Sequence, residues 1–149
     1  MKVRAEVEIN ASKEAIWNVI SDIDKATERI SAIEEVKVLH RPESGLVGLK
    51  WEETRLMFGK SAKEVMWIEE AVENSHYQTR AESHGAVYIS GMRIEEAGDA
   101  SKLIMEFEGE PQTTGARIMA TLTGWLFKGA TVKAIQQDLE DIKAHIEGS

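Results

Sequence analysis

An α+β domain, in which a curved seven-stranded antiparallel sheet wraps around a long C-terminal helix, is the fold class this sequence predicts. Three features carry it. The chain opens on a strictly alternating segment, Val3, Ala5, Val7 and Ile9 set against Arg4, Glu6, Glu8 and Asn10, the period of a strand with one buried face. From Glu34 about seventy-five residues of β texture follow, cut at short intervals by turn residues. After Pro111 the apolar spacing changes to three and four and stays so almost to the end.

The elements between these landmarks follow in order. Asn10-Ala11 ends the first strand. Ser12 is placed to accept a backbone N–H as N-cap, and Glu14 sits where the helix dipole favours an anion. Ile16, Val19, Ile20 and Ile23 then follow at helical spacing. Asp22 and Asp24 stop that helix, and residues 25–33 read as a second short helix with Ile30 and Ile33 as its apolar contacts. Breaks at Pro42-Glu43-Ser44-Gly45, Phe58-Gly59-Lys60, Glu73-Asn74-Ser75, Ser83-His84-Gly85 and Gly98-Asp99 divide the β region into six further strands. Ile118, Leu122, Trp125, Leu126, Val132, Ile135, Leu139, Ile142 and Ile146 mark one long helix ended by Gly148, with Gly124 and Gly129 as places to bend or pack closely.

Composition narrows the function classes. At 149 residues the chain is expected to form one domain, 1–149, around one core. A formal charge of -8 argues against nucleic acid as a partner, because a phosphate-binding face would be built against the overall field. Without cysteine there is no disulfide, thiolate nucleophile or sulfur-ligated metal. The charged N-terminus is no signal-peptide core, so a cytoplasmic location is the expectation. The longest uncharged apolar-rich run, 118–127, is about half of the ~20 residues a membrane span needs. His40, His76, His84 and His145 are scattered without ligand spacing, so neither a metal nor a cofactor is expected. Glycine-rich nucleotide loops and nucleophile elbows are also missing from the sequence.

A curled sheet covered by a single long helix leaves an internal space, and parity says which side chains face it. On the third strand Leu49, Trp51, Glu53 and Arg55 share the inner face. That places a carboxylate and a guanidinium inside or at the rim of the cavity, where they must pair or meet a ligand. Two readings stand: a salt bridge that fixes the strand, or an Arg55 that orients an oxygen-rich ligand while Glu53 accepts or shuttles a proton. Tyr77, Thr79, Ala81 and Ser83 on one strand, and Tyr88, Ser90, Met92 and Ile94 on the next, are the inward sets. Leu103, Met105 and Phe107 continue the apolar floor. On the helix, Leu122, Trp125 and Leu126 are candidates for ligand binding, with Trp125 and Leu126 at the entrance. Surplus apolar residues there, Met119 or Phe127, would meet a partner subunit in a homodimer, or the whole segment packs under residues 25–33.

The order strand, two helices, six strands, long helix resembles the helix-grip fold of the START-like (SRPBCC) superfamily, with its polyketide cyclase/dehydrase family and lipid-transfer domains. Residues 9–22 (INASKEAIWNVISD) look like the approach to the first helix in that family, residues 45–55 (GLVGLKWEETR) like its third strand, and residues 137–143 (QDLEDIK) like its helix end. The resemblance implies a hydrophobic small molecule, such as a lipid, polyketide or aromatic, bound in the cavity by a carrier or sensor. Alternatives are a cofactor-independent cyclase or dehydratase using Glu53, Arg55 and a tyrosine, or an accessory module that presents its surface to another protein. Glu53 and Arg55 fall where the family directs polar residues of its third strand into the cavity.

Overall fold

The computed structural model describes every residue except Phe58, His84 and Ser149; the side chains of Thr123, Trp125, Leu126 and Phe127 also lie outside the described set. Strand β1 covers Lys2–Ile9, and its odd-numbered residues are buried while the even ones are exposed, as the alternation requires. Helix α1 covers Lys13–Ile20. The Ser12 hydroxyl accepts the Ala15 amide at 3.2 Å, so the predicted cap forms.

The second short helix is corrected. In place of a helix over 25–33 the chain makes a 3-10 helix at Ile23–Glu28, and Ile33 already belongs to strand β2, Ile33–His40, opposite Arg55 of the next strand. Sheet pairing draws the backbone out of the helix before a second turn can propagate. Arg29 closes the segment through its Nη1, which donates to the carbonyls of Asp22 and Val19 at 3.2 and 3.5 Å. Asp22 and Asp24, read from sequence as helix-ending residues, each meet an arginine: Arg29 at 3.8 Å and Arg41 at 2.9 Å.

The remaining strands are β3 at Lys50–Met57, β4 at Lys60–Val72, β5 at His76–Ser83, β6 at Ala86–Ala97 and β7 at Ala100–Pro111. Each predicted break falls between two of them. The sheet is antiparallel throughout, in the order β1-β7-β6-β5-β4-β3-β2, so β1 and β2 are its edges.

Helix α2 covers Thr114–Glu147, capped by the Thr113 hydroxyl on the Ala116 amide and ended at Gly148. Its second half lies along β1. Lys143 Nζ donates to the Glu8 carbonyl at 2.7 Å, Gln136 Nε2 to the Glu6 carbonyl at 3.5 Å, and Glu147 accepts the Asn10 amide at 2.8 Å. The helix therefore satisfies polar groups that the edge strand would otherwise leave open. Ile135, Leu139 and Ile142 point from this half into the core, with Ile9, Ile16, Ile68 and Leu103.

The first half of α2 departs from expectation. Leu122 is 66% exposed and lines no cavity, and Ile118 and Met119 are also exposed. The reason is length: 34 helical residues run about 50 Å, whereas the eight residues of β1 span about 27 Å, so the early turns extend past the surface they would cover. Among the described residues, a Cβ built on Gly124 or Gly129 meets nothing within 4 Å. Among the described residues no helix is long and apolar enough to cross a membrane.

Candidate functional site

Between the concave face of the sheet and α2 lies a cavity of about 740 Å³, within the range that holds a drug-sized molecule. Its walls come from β3 to β7, from α1 and the 3-10 segment, and from residues 130–142 of α2. Leu56 and Met57 line it and are also exposed, as are Ala62 and Lys133, which places the opening between the end of β3 and the middle of α2.

The inward parity read from the sequence holds for the strands. Trp51, Glu53, Arg55, Tyr77, Tyr88, Met92 and Met105 all line the cavity, together with Thr79, Ser90 and Phe107. Leu122 does not. Trp125 and Leu126, the proposed entrance residues, lie outside the described side chains. Tyr77 is fixed by the edge of Trp17, with ring centroids 6.2 Å apart. Tyr88 stacks on Phe107 at 5.7 Å and faces Gly109 across the ladder, where a Cβ would stand 3.1 Å from its ring. Glycine at 109 is thus what lets Tyr88 lie flat against β7.

The polar feature of the cavity is a buried cluster that joins sheet to helix. Arg55 Nε donates to Glu53 Oε2 at 3.2 Å, and its Nη1 lies 3.0 and 2.9 Å from Asp138 Oδ1 and Oδ2. The Trp51 indole N–H reaches Glu53 Oε1 at 3.5 Å. Side-chain exposures are 20% for Arg55, 12% for Glu53 and 4% for Asp138, so solvent screens these charges little. Asp138 was not among the residues read from the sequence. A signal for it existed: it stands three residues after Ile135 and four before Ile142, in the buried stripe of α2.

One guanidinium facing two carboxylates leaves the cluster at -1. Burial pushes the Asp138 carboxyl up to about 6, against the pull of Arg55, with Glu53 and Asp141 adding like charge. Burial alone would lower the Arg55 guanidinium, but Asp138 and Glu53 reverse this and raise it, so Arg55 stays a cation. The Tyr77 phenol is pushed up by burial and by Glu53, and that of Tyr88 by burial and Glu64; both are neutral donors at neutral pH. One turn along α2, Asp141 accepts the Ser31 amide and hydroxyl at 3.0 and 2.8 Å, a second tie between helix and the far side of the sheet. Burial opposes the ionisation of Asp141, yet these bonds and one from Gln137 hold it below the usual carboxylate range.

Other features hold less. A groove of about 420 Å³ on the outer face of the sheet is lined by Lys2, His76, Arg93 and Glu106, but His76 is paired with Glu70 and Arg93 with Glu106. His40 and His145 are exposed and His84 is not described. Among the described residues, no three histidine or carboxylate side chains gather in a metal-binding group.

The model of the family described as polyketide cyclase/dehydrase and lipid transport matches residues 1–147. The chain belongs to that family. Its fold is that of the START-like superfamily. A Thermus thermophilus protein superposes with a TM-score of 0.82 at 16% identity, over 99% of this chain and 98% of the other. A START superfamily protein from Mycobacterium smegmatis gives 0.82 at 17% identity, over 99% and 97%. An aromatase/cyclase from a Streptomyces species gives 0.74 at 12% identity, over 99% and 93%. At these identities the likeness is one of fold. No curated protein matches the sequence significantly. Within the family's helix-grip frame, this chain's Glu53, Arg55 and Asp138 form a cluster of charged groups packed in the cavity wall.

Proposed function

We propose that this member of the family binds a hydrophobic small molecule, lipid, polyketide or aromatic, between the sheet and α2. The observation that carries the reading is the cavity itself: a space of about 740 Å³ lined mainly by apolar side chains and reachable from solvent. Filling such a space with the protein's own side chains would stabilise the fold, so keeping it open points to an occupant. Trp51 lies in the wall and is 3% exposed, so its fluorescence reports occupancy directly. Titration with neutral lipids and polycyclic aromatics should shift that emission saturably, and Trp51→Phe should abolish the shift while binding persists by calorimetry. Absence of any saturable change or heat across the panel would overturn the reading.

A cofactor-independent cyclase or dehydratase is the second reading. It is favoured by one feature: Asp138, with its carboxyl pushed up to about 6, stands in the cavity wall with neutral Tyr77, a pairing suited to proton transfer near neutral pH. Turnover of a poly-β-keto thioester lost in Asp138→Asn would establish it; binding without turnover would leave the carrier.

A further inference from the structure

Resting on the reading of the cavity as a ligand site, we infer that it selects uncharged apolar molecules bearing a hydroxyl and rejects carboxylates, because the buried group in its wall is one cation held between two anions. Sequence alone left Arg55 free to orient an oxygen-rich head. The geometry of Arg55 disfavours an anionic one. Its Nε is taken by Glu53 and its Nη1 by both oxygens of Asp138, at 2.9 to 3.2 Å, so its charge is already neutralised and one carboxylate remains in excess. A ligand carboxylate brought beside this cluster would face net repulsion at a site screened by little water.

The same geometry favours a hydroxyl. Glu53 Oε1 has only a long contact, the Trp51 indole at 3.5 Å, and can accept a further proton donor. Among the described residues the Tyr77 hydroxyl has no hydrogen-bond partner, although it lines the same cavity. A ligand O–H can therefore donate to Glu53 while its oxygen accepts from Tyr77, satisfying groups that an apolar ligand would leave dry and unpaired. Among the remaining cations of the wall, Lys63 and Lys133 sit at the exposed rim, and Arg29 lies 3.8 Å from the Asp22 carboxylate, with its buried Nε left without a partner in the described residues.

The test uses matched probes on the whole protein. The neutral dye Nile red is bound first, then displaced at pH 8 by decanol or by decanoate, in the wild type and in Asp138→Asn, whose cluster is neutral. Decanol should displace the dye at a concentration at least tenfold below that of decanoate, and the ratio should shrink at least fivefold in Asp138→Asn. Equal potency of the two probes in the wild type, or a ratio that Asp138→Asn leaves unchanged, overturns the inference while ligand binding stands. If Nile red does not bind the wild type and neither probe binds by calorimetry, the ligand-site reading itself falls and takes the inference with it. Should Asp138→Asn lose its far-ultraviolet circular dichroism, Glu53→Gln removes the other excess charge and is held to the same criterion.

Discussion

Replacing Asp138 by asparagine should flatten the dependence of stability on pH. In the folded protein this carboxyl is raised from 3.8 to about 6, chiefly by burial. A group raised on folding contributes stability that is fully present below its unfolded value and is lost as pH rises through its folded value. For a shift of about two units the whole effect is about 3 kcal/mol, reached only below pH 3.8. Between pH 8 and pH 5 about 1.4 kcal/mol of it is recovered, because at pH 5 the folded carboxyl is mostly protonated and the unfolded one mostly is not. Asp141 works the other way but only below the ordinary carboxylate range, so it does not interfere in this window. For a chain of this length the gain corresponds to about 3–6 °C in melting temperature. The other ionisable groups are common to both proteins, so the quantity to read is the difference between wild type and Asp138→Asn in urea midpoints at pH 5, 6, 7 and 8. Parallel curves for the two proteins would refute the claim that Asp138 is a buried carboxyl in a cluster with excess negative charge.

Three further outcomes follow from the same geometry. Arg55→Met should cost about 3–5 kcal/mol at pH 8 by urea unfolding, since it leaves Glu53 and Asp138 buried together without a cation, and less at pH 5, where Asp138 takes a proton; an equal cost at both values would mean the carboxylates are not coupled. Gly85→Ala should lower stability by clearly more than Gly59→Ala. Both have positive φ, costing about 1–2 kcal/mol, but at 85 the new Cβ would also stand 2.7 Å from the Thr113 hydroxyl that caps α2, whereas at 59 it meets nothing. Ser12→Ala should cost about 1 kcal/mol through loss of the α1 cap, measured the same way; no change would show that the Ala15 amide finds another acceptor.

How much was legible depended on the kind of signal. Strands were read correctly because period-two burial and turn residues are local: β1 alternates without exception, and every predicted break separates two strands. Parity then delivered Trp51, Glu53, Arg55, Tyr77, Tyr88, Met92 and Met105 to the cavity wall. What failed was non-local. Residues 25–33 have helix-forming composition, but pairing of Ile33 with Arg55 across the sheet overrides it. Leu122 continues the apolar spacing of α2, but spacing does not reveal that the sheet ends before the helix does. Asp138 was missed because a carboxylate in a helix reads as solvated unless its neighbours Ile135, Leu139 and Ile142 are recognised as one buried face. That omission hid the main electrostatic fact of the site, since Glu53 and Arg55 alone make a neutral pair.

The central claim, that the space under α2 is a binding site, is tested most directly by native mass spectrometry of the protein incubated with a panel of lipids and aromatics, beside a Ser90→Phe variant. Ser90 lines the cavity, so phenylalanine there projects a ring into it. The account predicts a bound small molecule on the wild type, held more weakly by Ser90→Phe while that variant stays folded. A wild type that remains at its ligand-free mass throughout, or a variant that binds equally well, would contradict it.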